Sequence, residues 1–114
     1  MITSSNSAEL YNQYQSAMRR IADIRYASAV LQWDQETYLP PKGAGFRGQQ
    51  LATLSEIAHE EFTADKLGVL LQELSSRQDL DTEQQRNIAL TLEDYNRNKK
   101  FTGAFVRLLT EVIN

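Results

Sequence analysis

Apolar residues recur along this chain at steps of three and four, the spacing of one face of an α-helix, and strand-like alternation persists nowhere. Leu10, Tyr14, Ala17, Ile21, Ile24, Ser28 and Leu31 hold that spacing through the first segment. The pattern predicts a long first helix from about Ala8 to about Gln35, a rod of roughly 40 Å at the helical rise per residue. Asn6 stands at the N-cap position, and Glu9 three residues later completes a capping-box pattern. Met18, Ala22, Ala29 and Val30 widen the apolar stripe, which predicts more than one neighbour on this helix. Pro40 and Pro41 end it, because each lacks an N–H and restricts the residue before it.

Four shorter helices follow. The second is predicted over about Ala44 to Glu61, with Leu51, Leu54 and Ala58 inward, Phe62 one turn on, and Gly48 inside it at some cost in stability. The third runs from about Ala64 to Ser75, with Thr63 as its cap and Leu67, Leu70, Leu71 and Leu74 at helical spacing. Ser75 to Asp79 reads as a loop. Thr82 and Gln85 form a second capping-box pattern, opening a helix that runs to about Lys99 through Ile88, Leu92 and Tyr95. The fifth begins near Thr102 and carries Phe105, Leu108, Leu109 and Val112. Val112, Ile113 and Asn114 give neither a Gly stop nor a following Pro, so a chain that continues past Asn114 is expected. The fold class is all-α: about five helices with a long first one, arranged as a bundle or an array of helical hairpins.

Composition narrows the function. Across 114 residues the formal net charge is −3, which gives no electrostatic footprint for nucleic acid and no polybasic run for an anionic membrane. Cysteine is absent, so disulfides and thiolate metal sites are excluded. The N-terminus lacks a basic start and an apolar core, and no stretch approaches the roughly 20 apolar residues of a membrane span. A cytoplasmic location is the expectation.

Candidate chemistry is sparse. His59-Glu60 begins like a His-Glu-x-x-His zinc helix, in which histidines four apart share one face, but the fourth position after His59 is Thr63. No other histidine exists, so His59 reads as an ordinary helix residue. Asp34 and Glu36, two apart, point away from each other on a helix and read as solvated or capping acids. Trp33, Tyr38 and Leu39 end the long helix in bulky groups, for which core packing is expected. The glycines at 43, 45 and 48 lack the Gly-Lys-Ser/Thr of a phosphate loop and read as a flexible helix entry. Arg97 to Lys100 is a basic cluster at a helix C-terminus, where cations favour the dipole without any ligand. For nucleophilic catalysis the one histidine is the sole candidate base, and no oxyanion motif is visible. No catalytic, cofactor-binding or metal-ligating residue is therefore assigned.

The stretch Leu31-Gln32-Trp33-Asp34-Gln35-Glu36-Thr37-Tyr38-Leu39-Pro40-Pro41 resembles the N-terminal region of the thermostable carboxypeptidase (carboxypeptidase Taq) family. Leu51-Ala52-Thr53-Leu54-Ser55 and Ala58-His59-Glu60, followed by Phe62-Thr63, add to the resemblance, which extends more loosely over the whole chain. It implies a much longer, mostly helical zinc carboxypeptidase that removes C-terminal residues from peptides. In that family zinc sits on a His-Glu-x-x-His helix and a distant glutamate, whose equivalents lie beyond Asn114. The chain is then one helical domain over 1–114, the lid or groove wall of a parent enzyme, inactive alone. Trp33 to Tyr38 is expected to anchor the lid's hinge. The expected partners are the rest of the parent and, through it, the peptide substrate. Self-association is the expected way for an isolated chain to cover the faces of its first and fifth helices. The alternative is a stand-alone helical interaction module without enzymatic activity.

Overall fold

The computed structural model describes residues 6–37 and 44–113, and among these every regular element is helical. The helices are α1 (Ser7–Thr37), α2 (Ala44–Phe62), α3 (Asp65–Ser75), α4 (Thr82–Asn98) and α5 (Gly103–Ile113). This is the all-α architecture that the spacing predicts, with bounds within about two residues of expectation. The positions of Pro40, Pro41, Gly43 and Asn114 lie outside the described residues, as do those of Tyr38 and Leu39.

Two of the predicted caps move. Asn6 does cap α1, its side-chain oxygen accepting from the Glu9 N–H at 2.8 Å. The α4 box, however, is made by Asp81 and Gln84, one residue ahead of Thr82 and Gln85. Both registers satisfy the three-residue spacing, and the carboxylate is favoured because it also complements the positive end of the helix dipole. At α3 the N-cap is Ala64 rather than Thr63, with no side-chain cap. The Ala64 carbonyl instead accepts from Leu67 and Gly68 and from the Tyr95 hydroxyl at 3.2 Å.

The chain forms two compact units, and α1 runs unbroken through both. One unit joins α1 up to Arg19 with the segment Phe62–Lys100. Its α3 and α4 form a hairpin, with Gly68 near the start of one against Tyr95 near the end of the other. Leu67, Leu70, Leu71, Leu74, Leu80, Ile88 and Tyr95 are buried there, together with Leu10, Tyr11 and Tyr14 of α1. Polar contacts fix α1 in register. The Tyr14 hydroxyl meets Thr91 Oγ1 at 2.8 Å, Asn87 donates to the Tyr11 hydroxyl at 3.2 Å, and Ser7 Oγ donates to Asp79 at 2.6 Å. Burial pushes the Tyr14 phenol above its ordinary pKa, and the Thr91 contact partly offsets this.

The other unit holds Arg20–Glu61 and Phe101–Asn114. Its buried apolar residues are fewer: Ile21, Leu51, Ala52 and Ala58. The widening of the α1 stripe does not hold here, since Ala22, Ala29 and Val30 are exposed. Small side chains such as Ala22 and Ala29 bring little area to a contact, so they do not by themselves recruit a neighbour.

Candidate functional site

Every candidate position within the described residues sits in the unit holding α2 and α5, or at the end of α4 and just beyond it. His59 lies in the last turn of α2 and is buried. Its Nε2 is 2.7 Å from the Phe101 carbonyl oxygen, and because a carbonyl only accepts, Nε2 carries the proton and donates. The imidazole thus ties the end of α2 to the segment leading into α5. Glu60 beside it is exposed, its side chain lying against the backbone of Gly103. Both side chains therefore make packing contacts with the segment around α5.

Asp34 is neither freely solvated nor a cap. Arg47 Nη1 donates to its Oδ2 at 2.6 Å and to the Leu31 carbonyl at 3.1 Å, while Arg47 Nε donates to Gln50 at 3.0 Å. One planar guanidinium thereby fastens the last turns of α1 to the first turns of α2, a geometry a lysine cannot reproduce. The glycine-rich entry is helical from Ala44 onward, so Gly45 and Gly48 lie inside α2. The Glu36 side chain lies outside the described residues.

Trp33 is 57% exposed, which corrects its expected place in the core. Its position on α1 falls in line with Tyr26 and Val30, also exposed, at steps of four and three. More than half of the indole surface is therefore open to solvent on this face of α1.

The basic cluster is held by specific partners rather than by the helix end alone. Lys99 pairs with Asp65 and donates to the Thr63 carbonyl at 3.0 Å, closing the α3–α4 hairpin at its open end. The hydrogen bond and charge of Lys99 hold the Asp65 carboxyl below its ordinary range, and Asp65 in turn raises Lys99. An open depression nearby is lined by Asp65, Val69, Gln72, Tyr95 and Lys99, with its one strong charge pair already satisfied internally.

Among the described residues, no three His, Cys, Asp or Glu side chains gather closely enough to hold a metal ion. A catalytic zinc needs three protein ligands and a structural one four, and the single histidine is committed to a backbone carbonyl, so these residues do not fit a zinc site. No described helix is long and apolar enough to cross a membrane.

Sequence reading passed over two positions. Gly68, inside a strong helical pattern, carried a signal, since a mid-helix glycine costs stability and asks for a packing reason. Arg107 carried none. It donates to Thr53 at 2.7 Å and to Glu56 at 3.4 Å, holding α5 on α2.

Among the described residues the geometry offers exposed apolar faces and interhelical clamps. The family model described as carboxypeptidase Taq (M32) metallopeptidase matches residues 13–114.

The chain belongs to the carboxypeptidase Taq (M32) metallopeptidase family.

Carboxypeptidase 1 of Bacillus subtilis (strain 168) is 28% identical over 88 residues, 76% of this chain and 18% of the relative. Thermostable carboxypeptidase 1 of Thermus thermophilus is 30% identical over 64 residues, 56% of this chain and 12% of the relative. A solved structure described as "The Structure of CHT" matches with a TM-score of 0.79 and 62% identity, covering 84% of this chain and 20% of that one. The chain thus spans about a fifth or less of the length of the relatives it matches.

Proposed function

We propose that this chain is the N-terminal helical part of a zinc-dependent M32 metallocarboxypeptidase that removes C-terminal residues from peptides. Its role there is to cover and shape the substrate groove. The reading is carried by one observation: a family match over residues 13–114 that accounts for only a small share of the relatives' length. The zinc chemistry belongs to other parts of the parent. A wall or lid contributes by excluding water and restricting how a peptide enters, without touching the reacting atoms.

The Arg47 clamp gives such a wall a defined corner between α1 and α2. Trp33, exposed close to that corner, is the residue through which the hinge role is tested. In the full-length enzyme, Trp33→Ala is expected to change kcat or KM for peptide hydrolysis while leaving zinc content unchanged. Unchanged kinetics and unchanged stability would remove the hinge role. The wider reading is tested by assaying release of C-terminal residues from a peptide by the 114-residue chain and by the full-length protein, before and after chelation and zinc re-addition. Zinc-restored activity in the full-length protein alone is the expected result. A full-length protein that never releases a C-terminal residue would end the carboxypeptidase reading.

A further inference from the structure

Among the described residues, the large apolar side chains left exposed are unevenly shared. All but Val69 and Leu90 belong to the unit containing α2 and α5, the same unit that buries little beyond Ile21, Leu51, Ala52 and Ala58. The hairpin unit buries most of its large apolar side chains, and the other leaves most of those described exposed.

The imbalance is concentrated on α5. Phe105, Leu108, Leu109 and Val112 follow the i, i+3, i+4, i+7 spacing of a single stripe, and they are 46%, 59%, 50% and 74% exposed. The opposite flank of the helix is already in use. Arg107 is held there by Thr53 and Glu56, and the Gly103 backbone lies against Glu60. Phe101 stacks on Phe105 with ring centroids 5.6 Å apart, so the first aromatic of the stripe is held in place before anything covers it.

We propose that the Phe105-Leu108-Leu109-Val112 stripe is the seat of an apolar helix contributed by the remainder of the parent polypeptide. This rests on the reading of the chain as part of a longer M32 enzyme. The 62%-identical solved relative is matched over 20% of its length, so most of such a polypeptide lies outside the match and is covalently tethered to this helix. A tethered segment reaches the stripe at high effective concentration and needs no charge to steer it. The charges beside the stripe fit that occupant. Arg107 is paired with Glu111 as well as Glu56, so no free cation is offered from α5 to an anionic lipid surface.

Thiol reactivity tests the assignment. Leu108→Cys and, as an exposed reference in the other unit, Leu90→Cys are placed singly in the full-length protein and in the 114-residue chain. Labelling by a maleimide is followed site by site by mass spectrometry. In the full-length protein Cys at 108 should react on the order of 100-fold more slowly than Cys at 90, since a packed site reacts only through local opening. In the 114-residue chain the two rates should agree within a few-fold. Hydrogen exchange of α5 in the unsubstituted proteins gives the same comparison without a mutation, and α5 should be the better protected in the full-length protein. Equal reactivity and equal exchange in the full-length protein would overturn the proposal. So would protection in the full-length protein that appears only as concentration rises alongside a dimer, because the occupant would then be a second copy. Peptidase activity measured on the same samples separates the two readings. Activity with an uncovered stripe overturns only this inference, whereas a covered stripe without carboxypeptidase activity overturns only the proposed function.

Discussion

Replacing Gly68 with alanine places a methyl group where the Tyr95 side chain already lies. An ideal Cβ there would come 2.7 Å from Tyr95 Cζ and 3.0 Å from Cε1, and closer still to the hydroxyl oxygen. Tyr95 is buried, packs edge-on against Phe62 with ring centroids 6.3 Å apart, and donates from its hydroxyl to the Ala64 carbonyl at 3.2 Å. The ring cannot recede without breaking that bond, which costs about 1 kcal/mol, and disturbing a packed contact costs about 1–3 kcal/mol more. Alanine returns about 1 kcal/mol through its helix preference. The balance is a loss of about 1–3 kcal/mol, or roughly 4–12 °C in Tm for a chain of this size. Urea and thermal unfolding followed by circular dichroism read it directly. The sharper test is the same substitution made in a Tyr95→Ala background, where the space is open. Gly68→Ala should there become stabilising, a coupling of about 2–4 kcal/mol. Equal effects of Gly68→Ala in both backgrounds would refute the close-approach argument.

Gly48 is the contrasting case, since a Cβ there meets nothing within 4 Å. Gly48→Ala should raise stability by about 0.5–1 kcal/mol in chemical unfolding, and any loss would mean that α2 is not regular at this point. Asp81→Ala removes the side chain that caps α4 and should cost about 1 kcal/mol, whereas Thr82→Ala should cost much less. The reverse order would restore the cap to Thr82. The hydrogen bond from Ser7 holds the Asp79 carboxyl below its ordinary range, opposed by slight desolvation and aided by the Arg77 charge. A depressed folded-state pKa means that the native chain is the weaker proton binder. The stabilisation is therefore present above the ordinary aspartate range and lost as pH falls through the folded-state value. Ser7→Ala should accordingly flatten the acid side of a stability–pH profile, and an unchanged slope would show that the Ser7–Asp79 contact contributes nothing.

The elements were legible because helix periodicity is a local property. Leu67, Leu70, Leu71 and Leu74 share one face whatever they later touch, and they are all buried. The family, too, was legible in a contiguous segment, Leu31 to Pro41. Caps were only half legible. Asp81 and Thr82 both fit the three-residue pattern, and the choice between them turned on which side chain met the helix end in space.

What the sequence by itself determined was the all-α class and, for the described helices, which residues lie on their apolar faces. Tertiary structure alone decided which of those faces are covered. Phe105 and Leu70 look alike as periodic apolar residues, yet Leu70 is buried and Phe105 is left 46% exposed. It also decided that Trp33 faces outward, that Arg47 spans from α1 to α2, and that Gly68 exists to admit Tyr95. The reason is physical. Periodicity says that a face is apolar, but burial depends on whether another surface reaches it, and that surface comes from residues far away in sequence or from outside this stretch of chain.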